Sequence, residues 1–261
     1  MKKTTLNVGL TVGLTAILII SIQAQVGESF LQKTMQAEAL NNQAVDAIEA
    51  GKFEEAVKLL REAIRLRSDY TIAYGNLGAA FYRTGQFSEA IAALTKAIQL
   101  KSTFAENYSK LGVIYAELGR NDEAVKYLEQ AIQIQPDFAI AHYNLGCVYI
   151  RQKKFKAAIV ALERAAQIEP NNAATETRFN LGFAYAKQNR YREAIAEMQK
   201  VVHINPNDEQ AQLLLCQFYL LAKEKQSALA QYEAVKLLNP LLAQKLYTAI
   251  YANLLISAAE K

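Results

Sequence analysis

The chain has no tryptophan, only two cysteines, two histidines and four prolines in 261 residues. Each scarcity excludes something. Cys147 and Cys216 stand far apart in the chain and form no CxxC pair, so neither a disulfide framework nor a cysteine metal site has support, and two ordinary buried thiols are the expectation. Neither His142 nor His203 has a nucleophile or a carboxylate pair beside it in the sequence pattern, and catalytic constellations need such convergence. Gly51-Lys52 lacks the upstream glycine of a phosphate-binding loop. The expectation is therefore no enzyme, no cofactor and no metal. Charge of one sign is also lacking: 29 Lys and Arg against 25 Asp and Glu leave a net charge of +4. The two signs interleave, which reads as a solvated surface and not as a nucleic-acid patch.

What is abundant is helix-forming and apolar: 52% of the residues are hydrophobic, with 14 Tyr and 10 Phe against 11 Gly. Near the start, Lys2 and Lys3 precede an uncharged stretch whose apolar part runs from Leu6 to Ile22. As a helix that is roughly 25 Å, short for a membrane span and long for a signal-peptide core. Residues 1–24 are expected to be an N-terminal hydrophobic helix, either an uncleaved signal anchor or a signal peptide cleaved near Ala24. The flanking lysines would hold that end in the cytoplasm and send the rest across. The expected location is membrane-anchored and outside the cytoplasm, in a periplasm or its equivalent, with secretion as the alternative. A linker is expected at 25–36.

The four prolines, Pro136, Pro170, Pro206 and Pro240, fall at near-equal intervals. Their period of about 34 residues exposes an internal repeat. Six repeats align, 37–70, 71–104, 105–138, 139–172, 175–208 and 209–242, and the extra pair Ala173 and Ala174 lengthens the middle proline interval. Column 20 is alanine throughout: Ala56, Ala90, Ala124, Ala158, Ala194 and Ala228. Column 8 is Gly78, Gly112, Gly146 and Gly182, with Ala44 and Cys216 at the ends. Small residues in two columns let two helices approach closely, and large residues at columns 7, 11 and 24 fill the space between them. Apolar columns 4, 7, 8 and 11, then 20, 24 and 27, give two amphipathic helices per repeat. Gly51, Gly85 and Gly119 mark the turn between them in the first three repeats. Residues 243–261 are expected as a capping helix, with Leu246, Tyr247, Ile250, Tyr251, Leu254 and Leu255 over the last repeat and 243–258 open to a homodimer contact.

These columns resemble the tetratricopeptide repeat, whose 34-residue pattern runs W-x2-L-G-x2-Y, A-x3-F and P. The resemblance covers 37–242, about four-fifths of the chain. It implies an all-α, right-handed α-solenoid of six TPR helix pairs, whose first helices line a concave face. It further implies a protein–protein interaction scaffold. The departures, Gln43, Ala44, Ala47 and Cys216, fall in the terminal repeats, which have a neighbour on one side only.

On the first helices, column 6 reads Asn42, Asn76, Lys110, Asn144, Asn180 and Leu214. Asparagine is a mediocre helix residue, yet its amide both donates and accepts, so such a row suits the backbone of an extended peptide. It resembles the asparagine ladder of O-linked N-acetylglucosamine transferases; plain tolerance of exposure is the alternative. Ile140, Tyr143, Cys147, Ile150, Phe179 and Phe183 give the later groove an apolar lining, open to a partner unless stacking buries it. Arg83, Arg151 and Lys187 at column 13 are placed to pair with carboxylates of a partner. The carboxylate clamp of chaperone-binding family members is missing, since Asn41, Val45, Gly75, Ala79, Ser109 and Val113 hold its positions. The expected function is capture of an extended client segment during assembly of a membrane or envelope complex. The alternatives are a self-associating structural oligomer and an adaptor that recruits an enzyme.

Overall fold

Thirteen helices and no strands occur among the described residues of the computed structural model, which describes residues 27–169 and 174–259, the side chains of 174, 237, 238, 249 and 251–259 excepted. Helix α1 covers residues 27–49. It is followed by α2 (Phe53–Leu66), α3 (Thr71–Arg83), α4 (Phe87–Leu100), α5 (Ala105–Glu117), α6 (Asn121–Ile134) and α7 (Ala139–Arg151). Then come α8 (Phe155–Ile168), α9 (Ala174–Lys187), α10 (Tyr191–Ile204), α11 (Glu209–Leu221), α12 (Lys225–Leu238) and α13 (Pro240–Ala259). They form two compact bodies, one ending at Thr103 and holding α1–α4, the other starting at Phe104 and holding α5–α13.

Each repeat is a helix hairpin because its two helices are joined by a short, tight turn. The turn is closed at column 15 by a left-handed residue in all six repeats: Gly51, Gly85 and Gly119 at φ 73–75°, then Lys153 at 58°, Asn189 at 59° and Lys223 at 62°. Around it the backbone makes a Schellman cap. In the third repeat Gly119 donates to the Ala116 carbonyl and Arg120 to the Tyr115 carbonyl.

The close approach of the paired helices is visible atom by atom. A Cβ added to Gly146 would stand 2.5 Å from Leu162 Cγ and 3.4 Å from the Ala158 carbonyl oxygen. The same contact recurs at Gly78 against Leu94, Gly112 against Leu128 and Gly182 against Met198. The six column-20 alanines are all fully buried. Columns 8, 20 and 24 therefore form one packing seam, as the sequence implies.

Three features differ from expectation. Residues 27–36, expected as a linker, are helical and extend α1 beyond the reach of the shorter α2. Phe30, Leu31 and Met35 on it are exposed. Cys147 is half-buried where a buried thiol was expected, whereas Cys216 is buried. The closing helix starts at Pro240 and seats Leu242, Leu246 and Ile250 in the core, while Tyr247 stays 40% exposed with its ring 5.7 Å from that of Tyr232. The side chains of Tyr251, Leu254 and Leu255 lie outside the described set, as do residues 1–24, where the anchor or signal peptide is expected. No helix among the described residues is long and apolar enough to cross a membrane.

Candidate protein-binding face

In the second body, α7 touches both α5 and α9, its counterparts in the neighbouring repeats, whereas α6, α8 and α10 make no comparable contact with one another. Helices that converge on one side and separate on the other bend their stack, so α5, α7 and α9 occupy its inner side. Column 6 lies there as Lys110, Asn144 and Asn180, all half-buried. Two members of the expected ladder, Asn42 and Asn76, belong to the first body.

The column-6 side chains are not equally free. Asn76 donates its amide to Asn41 Oδ1 at 2.9 Å, and Asn41 is itself buried. Asn180 reaches back to Tyr143 Oη at 3.4 Å and Cys147 Sγ at 3.5 Å. Lys110 pairs with Glu106 on its own helix at 2.7 Å. Asn42 and Asn144 have no side-chain partner among the described residues.

The column-13 cations are engaged within the protein. Arg151 donates one guanidinium nitrogen to the Ala116 carbonyl at 2.7 Å and the other to Glu117 at 3.1 Å, bracing α7 on α5. Arg83 lies over the Phe53 ring at 4.8 Å, and Lys187 over Phe183 at 5.2 Å. Arg151 and Arg83 thus reach across to neighbouring helices, and only Lys187 lies along its own.

The apolar lining is half-buried. Tyr143, Ile150 and Phe179 pack against the core of the second body without entering it. Phe183 stands edge-on to Phe155 with ring centroids 6.4 Å apart. Tyr143 donates to Glu176 Oε2 at 3.3 Å. Burial first, then the neighbouring Cys147 and Glu176, pushes the Tyr143 phenol well above its usual range. Burial likewise pushes the Cys147 thiol up, so it is a packed thiol and not a reactive thiolate.

A pocket of about 470 Å³ opens where the first turns of α7 and α9 meet the end of α8. Ala139, Ile140, Tyr143 and Asn144 line one side, with Ala165, Glu169, Glu176 and the Thr175 and Thr177 positions opposite. Ile140 is 54% exposed at its mouth. Ile140 is the groove-lining residue expected from the sequence, whereas the two glutamates were not singled out, because Glu176 belongs to column 2 of the next repeat and Glu169 follows the end of a second helix. On the outer side, a shallower cavity of about 720 Å³ lies between α6 and α8, with exposed Val160 at its edge. Among the described residues no group of His, Cys, Asp or Glu could hold a metal ion.

A model for the TPR repeat matches residues 113–153, and models for the tetratricopeptide repeat match 41–103, 149–215 and 185–254. Among solved structures, pilF of Pseudomonas aeruginosa superimposes with a TM-score of 0.71 at 20% identity, covering 84% of this chain and 99% of that one. YrrB, described as a TPR protein with an unusual peptide-binding site, gives 0.62 at 24% identity over 72% of this chain and 97% of its own. MamA of Desulfovibrio magneticus gives 0.58 at 21%, over 66% and 97%. At these identities the likeness is one of fold. No curated protein matches the chain by sequence.

Proposed function

We propose that this chain, which belongs to the tetratricopeptide repeat family, holds an extended segment of a client protein along α7 and α9. The family's helix pairs make protein–protein interaction scaffolds, and its members are generally not enzymes. The observation that carries the finer reading is Asn144. Its amide is unpaired among the described residues, half-buried, and flanked by exposed Ile140 and half-buried Tyr143. That arrangement offers one hydrogen-bonding register to a peptide backbone and apolar surface to its side chains. YrrB, with its peptide-binding site, is the fold neighbour that supports it.

The setting is part of the proposal. Lys2, Lys3 and the apolar run Leu6 to Ile22 support a signal anchor that tethers the repeats outside the cytoplasm, in assembly of a membrane or envelope complex; cleavage near Ala24 is the alternative. A second reading, self-association through α13, draws support from Leu241, 72% exposed on that helix. Recruitment of an enzyme as an adaptor is a further form of the same scaffold role.

A photo-crosslinking residue placed in the full-length chain tests the groove. At Ile140 it should capture a client in the native membranes, and at Val160 on the outer side it should not. Asn144→Ala should lower the Ile140 yield while helical circular dichroism stays unchanged. Equal capture at both positions, or capture indifferent to Asn144→Ala, sinks the proposal. Capture of a second copy through position 241 alone would favour the oligomer instead.

A further inference from the structure

Resting on that groove reading, we propose that the pocket between the first turns of α7 and α9 is a subsite for a cationic side chain of the bound segment, arginine in preference to lysine. The pocket combines apolar and acidic walls. Ala139 and Ile140 supply apolar surface on one side, while Glu169 and Glu176 place two carboxylates on the other beside Ala165. No cation lines it. Among the described residues, Glu176 accepts one hydrogen bond, from the Tyr143 hydroxyl, and neither glutamate has an ion-pair partner. An ionised carboxylate has about four acceptor sites, so most of this capacity is unused.

An apolar occupant would strip water from the carboxylates without replacing it, and an acidic one would be repelled. Two carboxylates and an amide are also too few oxygens for a well-held calcium ion. A long cationic side chain satisfies every wall: its methylene stem covers Ile140 and the alanines, and its head meets the carboxylates. Arginine fits best, because its five donors in a planar fork can engage two carboxylates and the Asn144 carbonyl together, whereas an ammonium is a point charge. A volume of about 470 Å³ is that of a small-molecule site, ample for one such side chain and bridging water. The protein as a whole carries +4, so its general field disfavours basic peptides, and a preference for them must arise locally.

The test is selection of a phage-displayed random dodecapeptide library on the full-length protein and on its Glu169→Gln/Glu176→Gln variant. The expected result is enrichment of peptides with arginine at one fixed column, lost on the variant. A selected peptide, labelled for anisotropy, should bind about five- to tenfold more weakly when that arginine is replaced by the neutral isostere citrulline. The citrulline comparison uses the unaltered protein, so it stands even if the variant folds poorly. Enriched peptides without a basic column, or a citrulline peptide that binds equally well, overturn the subsite and leave the groove reading intact. No enrichment of any peptide overturns both.

Discussion

Tyr185 in α9 donates its hydroxyl to the Glu163 carboxylate in α8, joining column 11 of one repeat to column 25 of the repeat before it. The same two columns meet as Tyr149 with Glu129 at 3.3 Å and as Tyr219 with Gln199 at 2.8 Å. In the first body they meet as Arg61 over the Phe81 ring at 5.6 Å. In these four pairs the column-11 ring meets a column-25 carboxylate or amide through its hydroxyl, or, as Phe81, takes the column-25 cation over its face. The contact is inter-repeat, so it adds to the neighbour coupling that holds repeat arrays together. Tyr185→Phe should cost about 1–2 kcal/mol, because it leaves a half-buried carboxylate without its donor. Urea unfolding should show the loss, and Phe81→Tyr should cost little, since Arg61 keeps a ring to cover. Equal stability of Tyr185→Phe and the parent would remove the contact from the list of stabilising interactions.

Alkaline stability follows from the same phenols. Burial is the leading cause that raises the Tyr185 and Tyr143 phenols, and Tyr149 is raised for the same reason. In the unfolded chain a phenol ionises near pH ~10. Above that pH the unfolded state has lost a proton that the folded state still holds, so stability declines as pH rises. Below about pH 10 both states hold the proton and the contribution is complete. The urea midpoint should therefore be lower at pH 11 than at pH 8, and the fall should be shallower in Tyr143→Phe/Tyr185→Phe. A midpoint as high at pH 11 as at pH 8 would contradict the assigned burial.

Gly146 and Leu162 offer a direct test of the packing seam. A methyl on Gly146 would sit 2.5 Å from a side-chain carbon that is fully buried and cannot turn away into solvent. Gly146→Ala should therefore destabilise by about 1–3 kcal/mol, despite alanine's better helix propensity. Leu162→Ala alone should cost about 2–5 kcal/mol through the cavity it leaves. The double variant should be less destabilised than the sum, because each change relieves the other. Additive costs would show that the two residues do not share the same space.

The seam was legible in the sequence because it is written in residue size, and size recurs once per repeat at columns 8, 20 and 24. The helical state of 27–36 was not legible as part of α1, because that segment lies upstream of the first repeat and its exposed Phe30 and Leu31 give no core-facing period. For the binding face, the column-6 row could be read by aligning the repeats. What it pairs with could not: Asn76 meets Asn41 and Arg151 meets the Ala116 carbonyl across repeats, which depends on how far one helix pair slides along the next. The pocket was missed for a related reason. Ile140 was legible as groove lining, but Glu169 follows α8 and Glu176 lies in the first turn of α9, and no single column brings the two glutamates to it.

The turn at column 15 yields a gain of stability. Three repeats place glycine there, but Lys153, Asn189 and Lys223 adopt the same left-handed conformation at φ 58–62°. For lysine, the Cβ crowds the following carbonyl and the conformation costs about 1–2 kcal/mol. Glycine removes that cost but gives back about 0.5–1 kcal/mol through the greater freedom of its unfolded chain. Lys153→Gly and Lys223→Gly should each stabilise by about 0.5–1 kcal/mol, or roughly 1–3 °C in melting temperature for a chain of this size. Asn189 is the control. Asparagine tolerates the left-handed region, and its Oδ1 also accepts a hydrogen bond from Tyr191 at 2.8 Å, so Asn189→Gly should be neutral or mildly destabilising. If all three substitutions shift the melting temperature alike, the strain at the lysines is not what distinguishes these turns, and differences in the unfolded chain govern them instead.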